Sequence, residues 1–427
     1  MSRIPTLFED DIAEKAQSDK SGPNGLKRVK QVGWMPKDWK VEQIGEFGDI
    51  VTGTTPKTSK PQYYDGPYPF VSPGDMGEEM YLRDTEKTLT KAGFNEARPI
   101  PAGSVLFVCI GSSIGKVAIT TEPVATNQQI NAVVPNEEYE SEYLYYMLRY
   151  HAERIHVLAG VQAVPSINKS TFKGESLPVP PQEERTAIVN RLSTWDRAVE
   201  QVNALIEKKQ ERLHGLRQRL LTGEERFPEF DEPWVDVEIG SLLKRVYRYV
   251  DWDDDETYDL VSIKRDSQGM VFRESLKGSE IKTKTLNTLR EGDFVISRMQ
   301  VVHGATAYVS EEFDGMHASD SYIILVPRDE DRIDTEFFAE LSKLPYLYHI
   351  AYTSSYGVHI EKMTFNPEWY FESEVHIPPT VEEQRKIVSF LNTAKAEIEK
   401  LKQKRDALKR QKKGLMQRLL TGAVRTV

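Results

Sequence analysis

At 427 residues, 39% of them hydrophobic, the chain is long enough for two or three ordinary domains with filled cores, so size alone requires no disulfide staples or structural metal. Its formal net charge of -10 argues against binding nucleic acid through bulk positive potential, and its one cysteine, Cys109, cannot form an internal disulfide. No stretch reaches the roughly 18 apolar residues of a membrane span, and no basic-then-apolar leader opens the chain, so an unexported, cytoplasmic protein is expected.

Residues 1–33 read as an N-terminal extension. Residues 34–178 read as a first globule, with strand signals at Val105 to Ile110, Lys116 to Thr120 and Asn131 to Val134 and a helical stretch from Glu142 to Arg149. Residues 179–224 read as a long helix. Prolines precede Glu183 and Glu184, acids that suit the positive end of a helix dipole, and Gly223 supplies a left-handed stop. Its apolar residues recur in steps of three and four through Leu192, Trp195, Val199, Val202, Ile206, Leu213, Leu216 and Leu220, a coiled-coil seam. From Glu183 to Leu221 such a helix would span about 58 Å, a spacer by its dimensions.

Residues 225–377 read as a second globule, with strands at Phe294 to Ser297, Ala305 to Val309 and Tyr322 to Val326 and a helix from Thr335 to Leu341. The acidic run from Asp251 to Glu256 reads as solvated loop. Residues 378–427 repeat the long helix, with Glu382 and Glu383 at its start, Gly422 at its stop, and a seam of Leu391, Ala394, Ile398, Leu401, Leu408, Leu415 and Leu419. Lys209, Arg405 and Lys412 interrupt the seams, either as polar layers that fix register or as solvent-exposed, loosely packed layers. From Pro379 onward there are 13 Lys or Arg against 5 Asp or Glu, leaving the preceding residues at -18.

One internal repeat organises all of this. Residues 180–223 align without a gap on 379–422 at a constant offset of 199, and both copies end Gln-Arg-Leu-Leu-Thr-Gly. Fainter matches precede each helix: Trp39 with Ile44-Gly45 against Trp234 with Ile239-Gly240, Gly103 to Phe107 against Gly292 to Ile296, Gly115 against Gly304, and Thr171-Phe172 against Thr364-Phe365. Similar ends with divergent interiors predict one scaffold presenting two recognition surfaces.

If the globules read DNA, polar and basic side chains on loops between strands are the candidates, because base edges offer donors and acceptors. In the first globule these are Thr54, Thr55, Lys57, Ser59 and Lys60; Ser112, Ser113 and Lys116; Asn127, Gln128 and Gln129; Ser166 and Lys169. In the second they are Lys264 and Arg265; Arg298, Gln300 and His303; Ser319 and Ser321; Tyr356, His359 and Lys362. Taken singly, each also reads as an ordinary turn or surface residue.

Motifs for catalysis and metal binding are not found. Gly111 to Lys116 has three residues between its glycines where a phosphate loop has four, and it runs into a strand signal. Asn366-Pro367-Glu368-Trp369 is close to a methyltransferase signature, but its third residue is Glu and no glycine-rich cofactor loop precedes it, so it reads as a turn. His151 and His156 lack partners at metal-ligand spacing. The aromatic run Tyr143 to Leu148 reads as packing of a short helix, with base stacking as the alternative.

The Pro-Pro and Glu-Glu opening and the Gln-Arg-Leu-Leu-Thr-Gly close of each helix resemble the two conserved regions of type I restriction-modification specificity subunits. Gly53 to Thr58, Val71 to Met76 and Gly115 to Ala118 look like the opening motifs of their target recognition domains. Two features depart from the pattern: Arg185 replaces the glutamine usual in the first helix's Glu-Gln pair, whereas Glu383-Gln384 keeps it, and the second globule lacks the clear Gly-Thr-Pro-Lys-Thr motif of the first.

The resemblance implies an α/β (α+β) architecture: two small mixed α/β target recognition domains in pseudo-twofold arrangement, joined by two long helices forming an antiparallel coiled coil. It implies a bipartite double-stranded DNA target with an unread spacer, two methyltransferase subunits docked on the helices, and two restriction and translocase subunits. S-adenosylmethionine, ATP and Mg would belong to those partners, with no cofactor and no catalysis in this chain. As a ruler, one added heptad of helix would lengthen the spacer by up to about three base pairs. A scaffold without DNA readout and an enzyme with an unrecognised site are the competing readings.

Overall fold

The structure is a computed structural model that describes residues 25–30, 32–160 and 163–426. The expected extension falls largely outside these residues. Its described end is ordered as a hairpin, Leu26–Val29 against Gly33–Pro36, with Val29 and Val32 packed on the core of the first globule.

The chain divides into two compact units, and the division cuts both long helices near their middles. The first unit comprises residues 1–201 and 404–427, the second residues 202–403. Each helix is continuous over 40 residues, Gln182–Leu221 and Val381–Leu420, about 60 Å apiece. Each unit therefore holds one globule, the first half of the helix that follows it, and the second half of the other helix.

In the first unit an antiparallel sheet runs in the order Gly48–Thr52, Ile130–Pro135, Val105–Val108, Val117–Ile119. The second unit repeats this order with Leu243–Val246, Tyr322–Pro327, Phe294–Ser297 and Thr306–Tyr308. A second sheet in each unit contains a parallel pair, Tyr64–Val71 beside Ala125–Thr126 and Thr257–Ile263 beside His317–Ser319. Its remaining strands differ: the second unit adds Leu286–Thr288 beside His317–Ser319, where the first has an isolated antiparallel bridge of Ile100 with Val124. A two-stranded pair joins the start and end of each globule, Lys40–Gln43 with Ser176–Val179 and Val235–Glu238 with Glu374–Ile377.

The helix after each main sheet starts on the same device. Ser141 Oγ donates to the Gly103 carbonyl at 2.6 Å, and Thr335 Oγ1 to that of Gly292 at 2.7 Å. In Ser141–Tyr150, residues Tyr143 to Leu148 are all buried, so the aromatic run is core. His151 is buried next to it, and desolvation holds its pKa down at about 3, whereas His156 is exposed. Cys109 lies in the same core, where burial pushes its thiol up to about 12.

The helix halves belong to these cores. Ile188, Leu192, Met416, Leu419 and Leu420 share one cluster with Trp39, Phe107 and Phe172. The halves are antiparallel within each unit: Glu184 meets Arg425 while Asp196 pairs with Lys412 in the first, and Arg226 meets Glu383 while Lys209 pairs with Glu397 at 2.7 Å in the second. Every seam residue named from the sequence is buried or half-buried. Lys209 and Lys412 thus make cross-helix ion pairs, whereas Arg405 pairs with its neighbour Asp406 at 2.8 Å.

The helix ends are clamped by residues the repeat also supplies. In the first unit the carboxylate of Glu184, fully buried, accepts from Trp39 Nε1 at 3.0 Å and from Arg425 Nε and NH2 at 2.7 and 2.8 Å. In the second, Glu383 accepts from Trp234 Nε1 at 3.2 Å and from Arg226 Nε and NH2 at 2.9 and 2.8 Å. Arg226 and Arg425 are again 199 apart, three residues past the helix stops. The second Glu of each pair is therefore a buried clamp anchor, a role the helix dipole does not describe. Gly223 and Gly422, at φ 73° and 70°, bring the turning chain within 3.2 Å of the tryptophan ring, measured from where a Cβ would sit.

Arg185 and Gln384 fill equivalent buried positions. Arg185 donates to the carbonyls of Pro180 and Glu138, and Gln384 Nε2 to those of Pro378 and Arg332. The Arg replacement thus keeps the donor function, and its guanidinium also lies over the Tyr139 ring at 4.8 Å.

Candidate nucleic-acid interface

An antiparallel sheet has two ends, and strand direction decides which loops share one. In the first unit the chain leaves Gly48–Thr52 and Val105–Val108 and enters Ile130–Pro135 and Val117–Ile119 at one end. All four candidate stretches meet there. Thr55 Oγ1 donates to Gln128 Oε1 at 2.8 Å, Gln129 Nε2 to the Ile110 carbonyl at 3.3 Å, and Gly111 N to the Pro165 carbonyl at 3.0 Å. An isolated bridge joins Ile110 to Ser166.

The side chains differ in availability. Thr55, Lys57, Ser59, Ser112, Gln128, Ser166 and Lys169 are exposed, while Thr54, Lys60, Ser113, Lys116, Asn127 and Gln129 are half-buried. Lys116 Nζ donates to the Pro73 carbonyl at 2.8 Å, which ties the loop to the Val71 to Met76 segment. Asn127 and Gln129 hydrogen-bond each other at 2.9 Å. Gly111 to Lys116 turns from strand to strand, not from strand to helix, so the phosphate-loop geometry is absent.

The second unit builds the same end from other residues. Arg298 N donates to the Ser321 carbonyl and Phe365 N to the Arg298 carbonyl, both at 3.0 Å, which sets residues 321, 298 and 365 side by side. Asp266 N and Ser267 N, in the turn after Lys264 and Arg265, donate to the carbonyls of His303 and Gly304. Asp266 and Ser267 both adopt left-handed φ, 57° and 53°, to make that approach. Ser319 and Ser321 share a hydroxyl hydrogen bond at 2.6 Å. Tyr356, His359 and Lys362 sit on the hairpin Ser355–Tyr356 and Thr364–Phe365 or in its loop. Gln300 Oε1 is buried without a protein hydrogen-bond partner among the described residues, a cost of about 1–3 kcal/mol.

A family model described as the type I restriction modification DNA specificity domain matches residues 36–210 and 231–410. The chain belongs to that family. The two matches correspond to the two globules, each with most of the following helix, in agreement with the resemblance read from the helix repeat. A type I restriction enzyme specificity subunit of Methanocaldococcus jannaschii, MjaIX, is 32% identical over 186 residues, 42% of this chain and 43% of that protein. A second from the same organism, MjaVIII, is 22% identical over 421 residues, 92% of this chain and 94% of its own. The chain spans under half the length of the first relative and nearly all of the second. The fold is similar to that of a type I restriction-modification S subunit from M. genitalium, at TM-score 0.53 and 15% identity, covering 92% of this chain and 98% of that one.

Within this specificity-family fold, one match read from the sequence is displaced. Thr364-Phe365 lies in a strand, whereas Thr171-Phe172 lies in the helix Lys169–Lys173. The structural counterpart of Asn168, which caps that helix by accepting from Thr171 N, is Asn366, which accepts from Glu368 N and caps Pro367–Phe371. Phe172 and Tyr370 are the buried residues of the two helices. The Asn-Pro-Glu-Trp segment is thus a helix cap, where the sequence reading had a turn. Among the described residues no group of His, Cys, Asp or Glu could hold a metal ion, and no helix is long and apolar enough to cross a membrane.

Sequence reasoning missed several exposed residues of the second unit. Tyr247 and Tyr249 follow Leu243–Val246 at the same sheet end, are 53% and 60% exposed, and hold their rings 5.6 Å apart with Arg245 over Tyr247 at 4.4 Å. The Tyr-Arg-Tyr spacing of a strand edge was the available signal.

Proposed function

We propose that this chain is the DNA-sequence-reading subunit of a type I restriction-modification complex, each unit reading one half-site of a bipartite duplex target, with no catalysis of its own. The observation that carries this reading is that two units of one sheet topology gather different polar and basic side chains at the same sheet end. A shared frame with exchanged reading groups is what two unlike half-sites require, since each base pair offers its own donor and acceptor pattern in the major groove.

In this reading two methyltransferase subunits dock on the long helices and methylate adenine with S-adenosylmethionine. Two restriction and translocase subunits add ATP- and Mg-dependent translocation and cleavage. The complex works in the cytoplasm. A net charge of -10 is tolerable because the partners supply much of the phosphate contact.

Gel-shift measurements with the matching methyltransferase, with and without this chain, test the proposal. Sequence selectivity should appear only when the chain is added, and selectivity unchanged by its addition would overturn the reading.

A further inference from the structure

The hairpin loop between Ser355–Tyr356 and Thr364–Phe365 carries an apolar tip that nothing in its own unit covers. Val358 is 96% exposed and Ile360 50%. The loop is nonetheless built. Gly357 turns it at φ 148°, a 3-10 turn spans Ile360–Lys362, and Met363 buries beneath it. At its base the Tyr356 and Trp369 rings meet edge-on at 6.2 Å, and Phe365 N is anchored to the Arg298 carbonyl.

The tip's surroundings are polar and of mixed charge, with Glu361 beside Ile360 in the sequence. Exposed His359 and Lys362 share the loop, and Arg298 and Ser321 stand in the adjoining backbone row. A protein partner would be met by an apolar patch of greater breadth, with charge depleted at its centre. A base-pair edge matches better, because the major groove contains one apolar group among its donors and acceptors, the thymine methyl. The geometry points to Val358, with Ile360 beside it, as the thymine-methyl reader of the second unit. This inference rests on the reading of the chain as a DNA-recognition subunit.

The test uses the full chain assembled with its methyltransferase subunits, on duplexes carrying the target sequence found by methylome sequencing. Each thymine of the half-site read by the second unit is replaced in turn by deoxyuridine, which deletes only the methyl group. At one position the wild-type complex should lose about fourfold in affinity, the worth of one buried CH2-sized group, ~0.8 kcal/mol. Val358→Ala, whose side chain supports no packing within the unit, should bind thymine and deoxyuridine duplexes equally while keeping selectivity at the other bases.

Selective binding with no deoxyuridine effect anywhere in that half-site would overturn the inference and leave the recognition reading intact. A half-site without thymine on either strand would do the same. So would a Val358→Ala chain that loses its methyltransferase subunits without DNA, which would make the loop a protein contact. Absence of any sequence-selective binding would overturn both.

Discussion

Replacing Arg425 by alanine should leave the carboxylate of Glu184 buried with only the Trp39 indole to serve it. Glu184 is fully buried, and removing one partner of a buried ion pair costs about 3–5 kcal/mol. The Arg425 side chain is 37% exposed, so water reaches the vacated side, and the expected cost falls to about 2–3 kcal/mol. The second partner of Arg425, Asp38, is half exposed and adds little. Adding Glu184→Gln to Arg425→Ala should restore about 1–2 kcal/mol, since a neutral amide still accepts from Trp39 without a charge to desolvate. Urea unfolding of the full chain, read by hydrogen exchange in peptides around Trp39 and Glu184, measures both effects locally. Arg226→Ala should give the matching loss in peptides around Trp234 and Glu383. An Arg425→Ala chain within about 0.5 kcal/mol of wild type, or a double variant at the sum of its singles, would refute the clamp.

Glu340, 4% exposed, faces Lys343, Lys395 at 2.8 Å and Arg217 at 3.1 Å; burial alone would raise its pKa, but the three cations override burial and hold it down at about 2. A carboxyl lowered from 4.5 contributes stability above the unfolded value and loses it as pH falls through the folded one. The stability margin of wild type over Glu340→Gln in denaturant titrations should therefore shrink below about pH 4.5, by about 1 kcal/mol at pH 3.5. Arg298→Ala should cost about 1–3 kcal/mol in DNA binding and relax one position of the second unit's half-site alone, checked by methylome sequencing. Asn366→Ala removes a helix cap and should cost about 1 kcal/mol in thermal or chemical denaturation.

Much of the frame was legible because it repeats. The offset of 199 located both long helices, and local sequence pattern placed the strand Phe294–Ser297 and the helix Thr335–Leu341 with their observed bounds. The division of the units was not legible, because a heptad pattern runs evenly along a helix, whereas Leu192 and Leu419 are core residues only through what the first globule packs against them. Charge alone misplaced Glu184 and Glu383. Two acids in a first turn look alike in sequence, and the buried one is known only by the Trp and Arg that reach it. The clamp arginines could have been found by carrying the same offset three residues further.

Matching interiors was harder, since helix caps such as Asn168 and Asn366 align by position in the fold and not by the flanking Thr-Phe pairs. One pair of positions even reverses sign. Asp196 and Lys395 are 199 apart, yet the first joins Tyr146 and Lys412 and the second joins Glu340. Loop candidates drawn from polar and basic residues leave out apolar side chains such as Val358 and Ile360, whose exposure only the fold shows.

The central claim is that each unit reads its own half of one DNA target. Methylome sequencing of a host carrying this chain and its partner methyltransferase, before and after the loops of the second unit are exchanged for those of a relative, tests it most directly. The account predicts a bipartite motif with an unread spacer, of which one half changes and the other persists. A motif that is continuous, or whose two halves change together, would contradict it.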